Sequence, residues 1–430
     1  MTRVTDDGQH DRLARRLGLP DAVVLGLAAM VGAGVFAAIG PAARAAGSAL
    51  LIGLGVAAVV AYCNATASAQ LAAMYPVSGG TYVYGRERLG PGWGFLAGWG
   101  FVVGKTASCA AMALTFATYA VPDHRVVQRA IAVAGVVVLT AANYRGVTRT
   151  ALLSRILVAL TLVALAVIVL GIWLGSASVD HIRSPSSPHP GGVLGVLQSA
   201  GLLFFAFAGY ARIATMGEEV RDPARTIPRA INAALAGALA IYAIVAISAL
   251  AAASPHRLAH SADPLATAVG AAGNPSLAPL VRIGAAVASL GALLALIAGV
   301  GRTVLAMARN GDLPRRLAAV HPRFHVPHRA ELVLAVVVCA TVITADLRNA
   351  IGFSSFGVLV YYAIANAAAY TQPTEQRRHP RWLNVVGIAG CLVLVATLPL
   401  PSVAAGLAVF AIGLAGRVAA RRRMSGGVRT

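Results

Sequence analysis

Charge is scarce in this sequence. Only 12% of its 430 residues are Asp, Glu, Lys or Arg, about half the share a soluble domain carries. Lysine is almost missing: Lys105 stands alone against 34 arginines. The fifteen acidic residues all fall in loops or at the ends of apolar runs, so no carboxylate is expected at membrane depth. Cysteine is limited to Cys63, Cys109, Cys339 and Cys391. All four lie inside apolar runs without metal spacing, which argues against a disulfide framework or a redox role. His321, His325 and His328 have a superficial ligand spacing, but they sit in an Arg- and Pro-rich connector, and no metal is expected. Clustered His, Asp, Glu or Cys within the apolar runs is also missing, which speaks against a membrane-embedded enzyme. Long hydrophilic stretches are absent too. The largest, such as Ser176–Gly191 and Asn310–Ala330, are connector-sized and leave no room for a soluble domain. The small residues after the first run imitate a cleavage site, but Arg44 sits among them and the run is too long for a signal peptide.

Long hydrophobic runs are plentiful. Hydrophobic residues make up 58% of the chain, and about twelve runs are long enough to cross a bilayer as helices. They begin with Ala22–Ala43 and end with Ser402–Val418; the ninth, Leu332–Ala345, is the weakest, confined between Glu331 and Asp346. The expectation is an all-α polytopic membrane protein. The net charge of +20 then reads as topology. With the N-terminus placed in the cytoplasm, 25 basic residues fall in cytoplasmic segments and 7 in outer ones. This positive-inside bias puts both termini in the cytoplasm. A nucleic-acid partner would need those charges on one continuous face, and they are scattered over seven segments.

The first run contains "GLAAMVGAGVFAAIGPAARAAG", with Gly32, Ala33 and Gly34 at its centre. A dinucleotide loop would need a preceding strand and an acidic residue about twenty positions on, and neither is present. Close helix packing is one standing reading. The other is a break in the helix. The sixth run, "GLLFFAFAGYARIATMGEE", is likewise interrupted, at Gly209, and is followed by Tyr210 and Arg212. Paired interrupted helices at matching positions of two five-helix halves point to an inverted-repeat transporter with its substrate held at the breaks. An unwound helix frees N–H groups that suit a carboxylate and carbonyls that suit an ammonium. Zwitterions are therefore the expected substrate class.

The segments "MVGAGVF", "YPVSGGTYVYGRERLGPGWGFLAGW" and "FFAFAGYARIATMGEEVRDPARTIPRAI" resemble amino acid permeases of the amino acid–polyamine–organocation (APC) superfamily, and the resemblance spans essentially the whole chain. It implies a LeuT-type 5+5 inverted repeat with helices 1 and 6 broken. A single transmembrane unit follows: a cytoplasmic segment at 1–20, repeats at 21–175 and 192–370, two extra helices at 383–418 and a cytoplasmic tail at 419–430. The implied activity is secondary active transport of amino acids across the plasma (bacterial inner) membrane by alternating access. Proton-coupled uptake of a neutral or small amino acid is the expectation, with sodium as the alternative coupling ion. An amino acid/polyamine exchanger and a non-transporting sensor on the same fold remain open, as does monomer against homodimer. The amino acid and the lipid bilayer are the expected partners, and no cofactor is expected.

By the same resemblance, Gly32, Ala33 and Gly34 would receive the substrate carboxylate, Phe205 would cover the substrate, and Ala208 and Gly209 would form the second break. Two departures bear on coupling. Ala211, followed by Arg212, stands where many relatives carry an acid, and Thr161 aligns with a lysine of proton-coupled relatives. Lys105, near the middle of the third run, is the one deep ionisable group. An intramembrane charge is costly and reads as functional, so Lys105 is the coupling candidate, and Lys105 and Thr106 are expected to line the substrate site. Ser354, Ser355 and Tyr361 could bind substrate or neighbouring helices. Glu218, Glu219, Arg221 and Arg225 form a charged cytoplasmic group, read as ion pairs with a gate as the sharper option.

Overall fold

The computed structural model describes residues 17–76, 79–121, 124–145, 150–178, 191–214, 220–324 and 326–426. Among them the structure is helical throughout, and the only extended contact is an isolated bridge between Leu17 and Val220. The first half comprises α1 (Leu19–Met30), α2 (Ala33–Ala37), α3 (Ile39–Ala46), α4 (Leu50–Met74), α5 (Thr81–Leu89), α6 (Pro91–Ala120), α7 (Arg125–Tyr144) and α8 (Thr150–Trp173). The second comprises α9 (Gly192–Phe207), α10 (Ala211–Ala214), α11 (Pro223–Ala252), the short α12 (Pro255–His260) and α13 (Pro264–Ala271), α14 (Ala278–Arg309), α15 (His328–Thr344) and α16 (Leu347–Tyr370). Two more follow, α17 (Arg381–Thr397) and α18 (Leu400–Gly426).

Among the described residues, ten stretches are long and apolar enough to cross a membrane. The 17-residue helices α15 and α17 occupy the ninth and eleventh expected runs. Starts follow local chemistry. Prolines stand in the first turns of α1, α6, α11 and α14, where the missing N–H costs nothing. Gly90, at φ 98°, makes the turn that lets Pro91 start α6 directly after α5.

The core is built on close backbone approach rather than large side chains. A Cβ on Gly357 would stand 2.7 Å from the Gly100 carbonyl oxygen, and one on Gly104 would stand 3.1 Å from that of Ser354. Helices α6 and α16 therefore cross with their backbones in contact, as small residues allow inside a bilayer. The two extra helices are tied in by polar groups. Asn384 and Cys391 of α17 join Asn366 and Asn64: the Asn366 amide donates to Asn64 Oδ1 at 2.6 Å, and the Cys391 thiol to the same oxygen at 3.4 Å. Arg417 of α18 is buried, pairs with Asp312 at 3.0 Å and stacks 4.8 Å from the Phe95 ring. Asp312 also takes Arg86 at 3.2 Å and the Tyr82 hydroxyl at 2.9 Å. Burial and the adjacent carboxylate push the Tyr82 phenol up to about 12, so it remains a donor.

The acidic residues do lie in loops or at helix ends, but a helix end is not always wet. Glu331, in the first turn of α15, is 2% exposed. It fits because Gly301 opposite has no side chain; a Cβ there would meet Glu331 Cγ at 3.0 Å.

Candidate functional site

Both interrupted helices are broken in the structure. Helix α1 stops at Met30, and Val31 and Gly32 depart from helical geometry, with ψ of 42° and −136°. Helix α9 stops at Phe207 and passes through a 3-10 turn, Ala208–Tyr210, into α10. The first break is narrower than the small-residue triplet: Ala33 and Gly34 already belong to the opening turn of α2.

The two breaks lie against each other. A Cβ on Gly209 would fall 2.2 Å from the Ala29 carbonyl oxygen and 2.6 Å from the Met30 nitrogen. One on Gly34 would fall 2.7 Å from Ala206 Cα, and one on Gly32 would fall 2.7 Å from Ala292 Cβ on α14. The packing and break readings of these glycines are thus two aspects of one arrangement. The space beside Gly34 is filled by the α9 backbone.

Interrupting a helix leaves carbonyls and amides without intrahelical partners. Four carbonyls at or beside the breaks lie within reach of side-chain donors. The Tyr242 hydroxyl, from α11, lies 2.6 Å from the Met30 oxygen and 2.9 Å from the Ala206 oxygen. It carries one proton, so it donates to one carbonyl at a time and shares it between the two breaks. Lys105 Nζ donates to the Ala208 oxygen at 2.9 Å, and the Tyr362 hydroxyl to the same oxygen at 3.4 Å. The Tyr119 hydroxyl donates to the Phe36 oxygen at 3.1 Å. The amides are not matched in this way: outside the helices, no described backbone hydrogen bond uses the N–H of Gly32, Ala33 or Gly34. Among the described residues, the amides at the first break have no backbone partner while several neighbouring carbonyls have donors, and the bias is toward an anionic group.

Lys105 is 5% exposed, and among the described residues its partner is a carbonyl rather than a carboxylate. Its helix, α6, packs against α2. Phe205, also buried, belongs to one apolar cluster with Ala33, Cys109 and Ala292. The structure therefore gathers Gly32, Ala33, Gly34, Lys105, Phe205, Ala208 and Gly209 around the two breaks. Thr106 points elsewhere: its hydroxyl donates to the Val102 carbonyl at 2.7 Å, and it lines an apolar groove on the outer side of α6. Ser354 shares a hydrogen bond of 2.6 Å with Ser108, and Tyr361 accepts from the Thr81 N–H at 3.1 Å, so both link helices. Thr161 spends its hydroxyl on Leu157 of its own helix. In the connector before α11, Arg225 and Asp222 form an exposed pair at 3.9 Å, and the Arg221 N–H donates to the Leu17 carbonyl. Glu218 and Glu219 lie outside the described residues.

Sequence reasoning missed Tyr242, Tyr362 and Tyr119. Each is a hydroxyl in an apolar run, and a buried tyrosine needs an acceptor. That signal announces a partner without saying which carbonyl it is.

Comparison with known proteins follows the same lines. The family described as amino acid permease matches residues 17–413. Uncharacterized transporters of Mycobacterium bovis and Mycobacterium tuberculosis are 62% identical over 405 residues, covering 94% of this chain and 91% of theirs. A cationic amino acid transporter of Arabidopsis thaliana is 28% identical, covering 84% of this chain and 66% of its own. A methylthioribose transporter of Bacillus subtilis is also 28% identical, covering 86% and 82%.

Proposed function

The chain belongs to the amino acid permease family, and from that premise we propose that it is a secondary active transporter taking up a neutral or small amino acid across the bacterial inner membrane, coupled to protons. The observation that carries this reading is the unequal use of the two breaks. The Met30, Ala206 and Ala208 carbonyls lie within reach of Tyr242, Lys105 and Tyr362, while no described backbone hydrogen bond outside the helices uses the amides at 32–34. Packed here against Ala206 and Ala292, those amides would open to a ligand as the breaks move apart. A carboxylate placed there gains the dipole end of α2 and the nearby ammonium of Lys105. A substrate with a second positive charge finds no buried carboxylate beside Lys105 among the described residues, so the site disfavours cationic side chains.

Lys105 is the coupling group in this reading. Among the described residues its hydrogen-bond partner is a carbonyl, so its charge is poorly compensated in an apolar surrounding. Loss of its proton weakens the bond to Ala208 and frees the second break to rearrange, and regaining it restores the hold. Alternating access then becomes movement of the broken helices against α6 and α16. Both termini lie in the cytoplasm, in accord with the basic bias of the cytoplasmic segments.

The test is uptake into proteoliposomes of the full chain, with a panel of labelled amino acids and methylthioribose. Saturable accumulation of a neutral amino acid, increased by an inward proton gradient, is expected. Selective uptake of lysine or arginine, or of methylthioribose with no amino acid transported, overturns the substrate assignment. Amino acid accumulation indifferent to the proton gradient overturns the coupling.

A further inference from the structure

Among the described residues, away from the breaks, lies a cavity whose lining the transport reading leaves unused. It is a groove of ≈ 580 Å³ between α6, α15, α16 and α18. Trp99, Val333, Val337, Phe353 and Val409 form its walls, and Val333 and Val337 are about half exposed. Along α15 it runs from Ala330 to Ala345, roughly 22 Å at the helical rise of 1.5 Å per residue. That exceeds the depth of one leaflet, about half of a hydrocarbon core of ~30 Å.

The few polar side chains in its wall are already engaged. Thr106 donates to Val102, Thr341 to Val337 at 2.8 Å, and Ser402 to the Asn349 carbonyl at 3.4 Å. The Trp99 indole N–H donates to the Val409 carbonyl at 3.0 Å. The groove therefore offers little to a polar solute and suits a hydrocarbon chain.

Its two ends differ in charge. Leu313, Leu317 and Ala330 close one end. There Arg315 and Arg316, in the 3-10 turn containing Leu317, and Arg329, at the head of α15, are all exposed. The Arg329 guanidinium lies 3.5 Å from the Arg316 carbonyl, which ties the head of α15 to the turn that carries Arg315 and Arg316. At the other end Asp346 is exposed and uses its carboxylate to cap α16 through the Asn349 N–H at 2.7 Å. The nearest arginine there, Arg348, reaches away to Gln198 at 3.1 Å.

We propose that this groove is a binding site for an anionic phospholipid of the cytoplasmic leaflet, with an acyl chain along α15 and its phosphate on Arg315, Arg316 and Arg329. Basic pockets at the cytoplasmic ends of membrane helices recognise such headgroups. A second copy of the chain is a poorer occupant. A two-fold axis along the membrane normal would bring the three arginines toward their symmetry mates. None of the groove's lining residues belongs to either break, so the site is separate from the proposed substrate site and rests only on the topology proposed above.

The experiment is native mass spectrometry of the full chain in detergent, with phosphatidylglycerol and phosphatidylcholine of identical acyl chains. Selective retention of phosphatidylglycerol is expected, on the order of tenfold or more for three surface arginines at low salt. The triple variant Arg315→Gln, Arg316→Gln, Arg329→Gln should erase that selectivity while retaining phosphatidylcholine. Val337→Trp, which fills the groove, should reduce retention of both. Equal retention of the two lipids by the unaltered chain overturns the proposal, whatever the variants do. So does selectivity that survives the triple variant, displacement of the lipid by inorganic phosphate alone, or a dimer abolished by Val337→Trp.

Discussion

Replacing Tyr242 with phenylalanine removes a single oxygen from between the two helix breaks. The ring stays, and its edge-on contact with Phe207, at 5.0 Å and 74°, is kept. What goes is the donor shared by the Met30 and Ala206 carbonyls at 2.6 and 2.9 Å. One proton serves both, so one hydrogen bond is lost and a buried acceptor is left without compensation, at a cost of about 1–3 kcal/mol. Spread over the unfolding entropy of a chain this long, that corresponds to a fall in Tm of roughly 1–3 °C. The effect on transport should be larger than the effect on stability, because the breaks lose a fixed reference to α11. Thermal unfolding in detergent beside an uptake assay reads both, with Tyr370→Phe at a half-exposed ring as control. Unchanged Tm and uptake in Tyr242→Phe would refute the view that this hydroxyl holds the breaks.

Three further outcomes follow from the same geometry. Gly209→Val should greatly reduce the yield of folded protein on size-exclusion chromatography, because its Cβ would land 2.2 Å from a backbone oxygen on α1 that cannot step aside; normal yield would mean the breaks are not in contact. Phe205→Ala should raise KM for uptake by about tenfold while sparing insertion, in line with a truncated aromatic of a binding site costing above 1 kcal/mol; an unchanged KM removes Phe205 from the site. Cysteines placed at Thr374 and Ala262, both exposed, should label from the inside and the outside of intact cells respectively, and the reverse pattern would invert the topology.

How much of this was legible in the sequence differs from feature to feature. The runs, the paired interruptions and the burial of Lys105 were readable because each is a local property of composition. The width of the first break was not: Gly32, Ala33 and Gly34 look alike in sequence, yet Val31 and Gly32 leave the helix and Ala33 resumes it. The direction of Thr106 was also hidden. It adjoins Lys105, but one residue turns a helix by about 100°, which places its side chain in the outer groove. The carbonyl partners of Lys105 and Tyr242 lie 103 and as many as 212 residues away, and no pattern in a single chain relates such positions. Glu331 shows the converse. Its place at the end of an apolar run was legible, but its burial came from a glycine on a different helix.

The most direct test of the account compares two assays on Lys105→Ala in proteoliposomes. One is accumulation of substrate driven by a proton gradient; the other is exchange of labelled for unlabelled substrate with no gradient. If Lys105 couples proton movement to the second break through the Ala208 carbonyl, the variant should lose accumulation and keep exchange. Loss of both, with exchange partly regained in Lys105→Arg, would make the lysine a fixed partner of the substrate carboxylate. Accumulation at the unaltered level would contradict the central claim.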